Sequence, residues 1–183
     1  MNRLLHFAAL VATVAVAVKA ASNSSYLQAT ALVTNAQNHS ALQCWQFTDP
    51  ATVSSEAGTS GSATFAFANT TETIYTVIPA RFNGGTHNAP VPQIVTFLSG
   101  LAHITLPVAV HGNSTLDEAW IVGGADGFLI AVDTGGTGHI TTYPTDQPTV
   151  SLQIPFASME DVPAYSVVSE GPCHSGTSGG QLV

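Results

Sequence analysis

The stretch Gly84-Gly85-Thr86-His87-Asn88-Ala89-Pro90-Val91-Pro92-Gln93-Ile94-Val95-Thr96-Phe97-Leu98-Ser99-Gly100 decides how this chain is read. It runs from a glycine pair through a lone histidine and two prolines into a short, β-branched apolar segment that stops at Ser-Gly. A six-residue segment, 93–98, with four apolar residues and bounded by turn formers is too short for a free-standing helix and suits a strand. If the stretch is extended, His87, Ala89 and Gln93 share one face, because a two-plus-four spacing preserves strand parity.

Working outward, the same punctuation recurs. Short apolar runs at 63–68, 73–78, 93–98, 101–106, 119–122, 127–132, 139–143 and 149–154 are separated by Gly, Pro, Asn and Asp. Many short strands at even spacing predict an all-β, single-domain sandwich or jelly-roll barrel. Ser99-Gly100 and Gly123-Gly124-Ala125-Asp126-Gly127 read as hairpin turns between successive strands. The segment 25–43 reads as a helix, with Leu27, Ala31, Leu32 and Ala36 at helical spacing. The expected organisation is an N-terminal signal over 1–20, a partly helical extension over 21–62, the barrel over 63–170 and a flexible tail over 171–183.

The N-terminus itself has the layout of an export signal: Arg3, then an apolar Ala/Val run, then Val18-Lys19-Ala20. The run of about 12 apolar residues is shorter than the roughly 20 a bilayer span needs. Cleavage after Ala20 leaves 163 of the 183 residues. Four sequons, at Asn23, Asn38, Asn69 and Asn113, then mark exposed glycosylation sites in a secreted, extracellular protein.

Cys44 and Cys173 are the only cysteines, and an even count in an oxidising compartment favours a bridge, two buried thiols being the competing reading. Arg81 is the sole Lys or Arg after residue 20, set against eleven acids, a formal charge of −10. Such a surface disfavours nucleic acid and anionic headgroups. Arg81 is also the one permanent cation able to meet a substrate carboxylate or enolate, with an ion pair to a nearby acid as the alternative.

The first motif, His87-x-Ala89-x-x-x-Gln93 followed by Gly100, resembles the metal-binding motif of the cupin superfamily, in which a second His and a Glu stand where this chain has Ala89 and Gln93. Thr134-Gly135-Gly136-Thr137-Gly138-His139 is similar to the family's second motif, with Thr134 in place of the usual Pro. Glu118-Ala119-Trp120-Ile121-Val122-Gly123-Gly124 and the segment from Tyr143-Pro144 to Pro155-Phe156 resemble secreted cupin-like proteins of filamentous fungi.

The resemblance implies a jelly-roll barrel with His87 and His139 facing one cavity. It implies one divalent ion (Fe, Mn, Zn, Cu or Ni) held by His87, Gln93 and His139, a ligand set without a carboxylate. Asp133 and His103 are conceivable substitute ligands. Without metal, the candidate catalytic residues are His87 and His139, as acid and base, and Arg81; Gln93, Arg81 and Tyr75 would bind a small organic metabolite, with Tyr75 or Tyr143 as a second proton donor. The expected functions are an isomerase, a lyase or cyclase, or a metal-assisted oxygenase. A non-catalytic extracellular ligand-binding or effector protein is the alternative. A homodimer is the expected assembly.

Overall fold

The computed structural model describes residues 25–174; the expected signal segment, Asn23 and the end of the tail lie outside the described residues. The helix expected over 25–43 is replaced by two antiparallel strands, β1 (Tyr26–Thr34) and β2 (Ser40–Pro50). The turn between them explains the outcome. The Asn35 side-chain oxygen accepts the backbone N–H groups of Gln37 at 3.0 Å and His39 at 2.9 Å, and Asn38 sits at φ 60°. An asparagine that captures amides two and four residues on offers the backbone a turn instead of a helix.

β1 lacks a clean period of two because both its faces are buried. Leu27, Ala29, Ala31 and Val33 enter one apolar core and Leu32 the opposite one. A strand covered on both faces reads as a continuous apolar run, which periodicity does not separate from a helix. The described part of the expected extension is therefore not an appendage: β1 and β2 are interior strands of the main sheet.

After β2 the chain forms a short ribbon, β3 (Thr52–Val53) and β4 (Ala63–Thr64), so the strand expected over 63–68 is cut to two residues. β5 (Ile74–Ile78), β6 (Asn83–His87), β7 (Gln93–Ser99) and β8 (Leu101–Thr105) follow. Next come the single turn α1 (Ser114–Asp117), β9 (Glu118–Val122), β10 (Phe128–Ala131), β11 (His139–Thr142) and β12 (Thr149–Pro155). A 3₁₀ turn at Met159–Asp161 precedes β13 (Tyr165–Glu170). The protein is all-β. β6 and β13 fall outside the expected strands: β6 is Asn-Gly-Gly-Thr-His, and both are exposed at every position.

Among the described residues, seven strands form one sheet in the order β13-β2-β1-β10-β7-β12-β5 and four form another, β6-β11-β8-β9. Neighbours pair antiparallel except β1 with β10, which is parallel. Val95, Phe97, Leu129 and Leu32 of the large sheet pack with Ala102, Ile104, Ala119 and Ile121 of the small one. The other face of the large sheet is covered by Phe65, Phe67, Phe156 and Val162.

Neither glycine signal makes a hairpin. Ser99-Gly100 joins β7 of the large sheet to β8 of the small one, and the segment 123–127 carries β9 of the small sheet back to β10 of the large one. Both are corners between sheets. Gly100 sits at φ 85°, and a Cβ there would lie 2.8 Å from Cα and Cβ of Thr149, itself fully buried. Only glycine fits so close an approach with positive φ.

Cys44 on β2 and Cys173, three residues past β13, are disulfide-bonded across 129 residues of chain. β13 already pairs with β2, Ser169 opposite Cys44, so the bridge clamps an edge strand onto the sheet.

Candidate functional site

β6 and β11 are antiparallel neighbours in the small sheet, and their register sets His139 directly opposite His87. Directly opposed residues project from the same face. The two imidazoles accordingly meet with ring centroids 4.4 Å apart, tilted by 57°. They stand at one end of the core between the sheets, on a cavity of about 290 Å³. Gln93, Val95 and Phe97 of β7 line the opposite wall, and Thr141, Tyr143 and Gln153 complete the polar lining.

His87, Ala89 and Gln93 do share this cavity, though not as neighbours on one strand. His87 ends β6 in the small sheet and Gln93 opens β7 in the large one. The chain crosses between the sheets at 88–92, where Pro90 and Pro92 carry no N–H for a ladder. The Asn88 side chain pins the crossing by donating to the carbonyls of Asp133 at 2.9 Å and Gly135 at 2.8 Å.

Both imidazoles are held through Nδ1. His139 is buried, and its Nδ1 lies 2.7 Å from Oδ2 of Asp133, a side chain with no solvent exposure. The same oxygen accepts the Ser40 hydroxyl at 2.8 Å, and Oδ1 faces the Ala89 N–H at 3.4 Å. His87 is exposed at the cavity mouth, its Nδ1 2.9 Å from the Gly85 carbonyl. A carbonyl only accepts, and a carboxylate so crowded by donors does the same, so both Nδ1 atoms carry hydrogen. Each Nε2 is left without a hydrogen-bond partner among the described residues, and so is the Gln93 amide.

Tyr143 is half-buried on the cavity wall, and desolvation by burial pushes its phenol up to about 12. It is a neutral O–H donor at ordinary pH. The lining contains no Asp, Glu, Lys or Arg, so a ligand there meets imidazoles, amides and hydroxyls.

Other candidates fall elsewhere. Arg81 is an exposed turn residue at φ 57° whose guanidinium binds Asp146, with Nε 2.6 Å from the carboxylate; the ion-pair alternative is the arrangement seen. Tyr75 on β5 alternates with the inward Ile74, is 62% exposed and does not line the cavity. His103 alternates with the inward Ala102 and Ile104, bonds Glu118 at 2.9 Å and stacks on Trp120 at 3.7 Å, on the outer side of the small sheet. Asn38, Asn69 and Asn113 are all exposed on turns. The Ser158 hydroxyl and, after it, the Asn69 amide donate to Asp161 and hold its carboxyl below the usual range.

As a metal site the donor set is thin. No group of three His, Cys, Asp or Glu side chains is gathered among the described residues. Asp133, the one carboxylate nearby, is spent on three donors. A cation would have two neutral imidazoles and the Gln93 amide, with no anionic ligand, a poor match to divalent metal centres. The set fits proton transfer better, and no step below is routed through a metal.

Sequence reasoning weighed Asp133 as a spare metal ligand and missed its role as the partner that orients His139. It also missed Ser40, Thr141 and Gln153, which carry no local signal. No family model, curated protein or solved structure matches the chain.

Proposed function

We propose that the chain is a secreted cupin-type jelly-roll protein that binds a small neutral hydroxy-carbonyl compound between its two sheets and shifts a proton on it, as an isomerase or lyase does. One observation carries this reading: three unpartnered polar groups, His87 Nε2, His139 Nε2 and the Gln93 amide, face one 290 Å³ cavity whose remaining wall is mostly apolar, with Thr141, Tyr143 and Gln153 as its other polar side chains. Convergent polar groups in an apolar pocket of roughly this size are the usual form of a small-molecule site. The two chain crossings at 99–101 and 123–127, with that at 88–92, support the jelly-roll reading.

His139 is the base. Asp133 fixes its tautomer, turns Nε2 to the cavity and stabilises the imidazolium that forms on taking a proton. The His139 imidazolium returns that proton at the second position, while His87, tethered through Nδ1 to the Gly85 carbonyl, accepts the ligand hydroxyl proton at its free Nε2 and Gln93 holds the ligand carbonyl. Tyr143 donates to a developing oxyanion. The disulfide between Cys44 and Cys173 suits an oxidising compartment, and the three exposed sequons agree with passage through a secretory pathway.

The test is solvent exchange. Hydroxyaldehydes, hydroxyketones and lactones incubated in D₂O with the protein should lose the C–H signal beside the carbonyl in proton NMR spectra. H139A and H87A should each slow the exchange by about a hundredfold or more. Exchange that survives both substitutions would overturn the acid–base reading. Binding without exchange in the wild-type protein would instead establish a non-catalytic extracellular carrier.

A further inference from the structure

The opposite face of the large sheet carries a second cavity, of about 370 Å³, that the proton-transfer site does not use. Leu27 of β1 and Phe47 of β2 form its floor, and Phe65, Phe67 and Pro163 its walls. Leu27 and Phe47 belong to the core on that face, whereas Val95, Phe97 and Leu129 of the first cavity lie on the other. The sheet itself separates the two.

The walls are held by backbone bonds. Thr48 N–H donates to the Ala164 carbonyl at 2.9 Å, Ala51 N–H to the Ser25 carbonyl at 2.8 Å, and the β3–β4 ribbon pairs Thr52 with Thr64. Phe47 and Phe67 meet edge to face, centroids 5.6 Å apart at 78°, and both line the cavity. The one charged residue in the lining is Asp49, exposed at the rim, and its carboxylate has no hydrogen-bond or ion-pair partner among the described residues.

An aromatic slot with an unpartnered carboxylate at its mouth is complementary to a molecule with an apolar or aromatic body and a positive end. The apolar body gains burial against the phenylalanines, the cation gains the carboxylate and the ring faces, and a chain this acidic attracts cations generally. An anion or a zwitterion with its carboxylate leading meets only repulsion. We propose that this cavity is a second ligand site, for a small aromatic or alkyl amine protonated at neutral pH.

The experiment compares 4-phenylbutylamine, 4-phenylbutanol and 4-phenylbutyrate by titration calorimetry and saturation-transfer NMR on the full disulfide-bonded protein. The amine is expected to bind saturably, one per chain, and about tenfold or more tighter than the carboxylate. D49N should bring the amine to the level of the alcohol. A66W, at an exposed lining position, should fill the slot and abolish binding, while H139A leaves the titration unchanged. No saturable amine binding, equal affinity for amine and carboxylate, or an unchanged titration in D49N would each overturn the proposal. D49N decides the matter even if A66W does not fold, because Asp49 supports no contact within the protein.

Discussion

Replacing Asp133 with Asn keeps the shape of a fully buried side chain and removes the acceptor that three donors share. In D133N the amide has one oxygen and one NH₂. With its oxygen toward His139 and Ser40, both bonds survive, now at 2.7 and 2.8 Å to a neutral acceptor, and the NH₂ confronts the Ala89 N–H. Losing charge assistance on two bonds costs about 1 kcal/mol each, and a buried donor facing a donor about 1–3 kcal/mol more. The flipped amide is worse, because its NH₂ then faces the two closer donors. The expected loss is about 3–5 kcal/mol, a large part of the roughly 5–15 kcal/mol that holds a domain folded. Equilibrium urea unfolding followed by the fluorescence of the buried Trp45 reads it. At a slope of about 2 kcal/mol per molar, the midpoint should fall by about 1.5–2.5 M with the slope unchanged. Solvent exchange should fall in kcat with KM little altered, since the ligand does not touch Asp133. A midpoint shift under about 0.5 M, or exchange at the wild-type rate, would refute the account of Asp133 as the group that positions His139.

Three further predictions rest on particular contacts. The double variant C44S/C173S opens a loop of 129 residues and should lose about 5 kcal/mol in the chain-entropy account, read as a fall in urea midpoint against the oxidised protein. G100A combines positive φ with collision against Thr149 and should cost about 3 kcal/mol or more, lowering Tm by roughly 6–12 °C. In G58A, also at positive φ but with nothing within 4 Å, the drop should be only about 2–4 °C. Because burial raises the Tyr143 phenol from 10.0 to about 12, the unfolded chain releases its proton first. Stability should therefore fall between pH 10 and 12, by about 2–3 kcal/mol at most, and a Y143F variant should lack that part of the alkaline loss.

Much of the fold and part of the site were legible in the residues themselves. β5 and β7–β12 were readable because each has turn formers at both ends and enough β-branched residues between them. The bridge between Cys44 and Cys173 followed from their being the only cysteines in a chain with an export-like N-terminus. His87, Gln93 and His139 were singled out by their resemblance to the cupin motifs, and the structure does set them on one cavity, although by a crossing between sheets rather than by parity along a strand.

What the tertiary structure alone decided is everything that depends on what covers a segment. β1 looked helical because both its faces are buried, and burial in the core between the sheets on one side and by Phe65 and Phe67 on the other is not written in residues 26–34. Ser99-Gly100 is as good a hairpin turn as a sheet corner until Thr149, fifty residues away, closes on it. Asp133 is an unremarkable acid in the sequence and becomes the positioning group only where Ser40, Ala89 and His139 converge on it. Local pattern follows from the chain's own sterics and hydrogen-bonding appetite; the partner of a buried polar group or a two-faced strand is set by which distant segments pack there, and no window of sequence contains both.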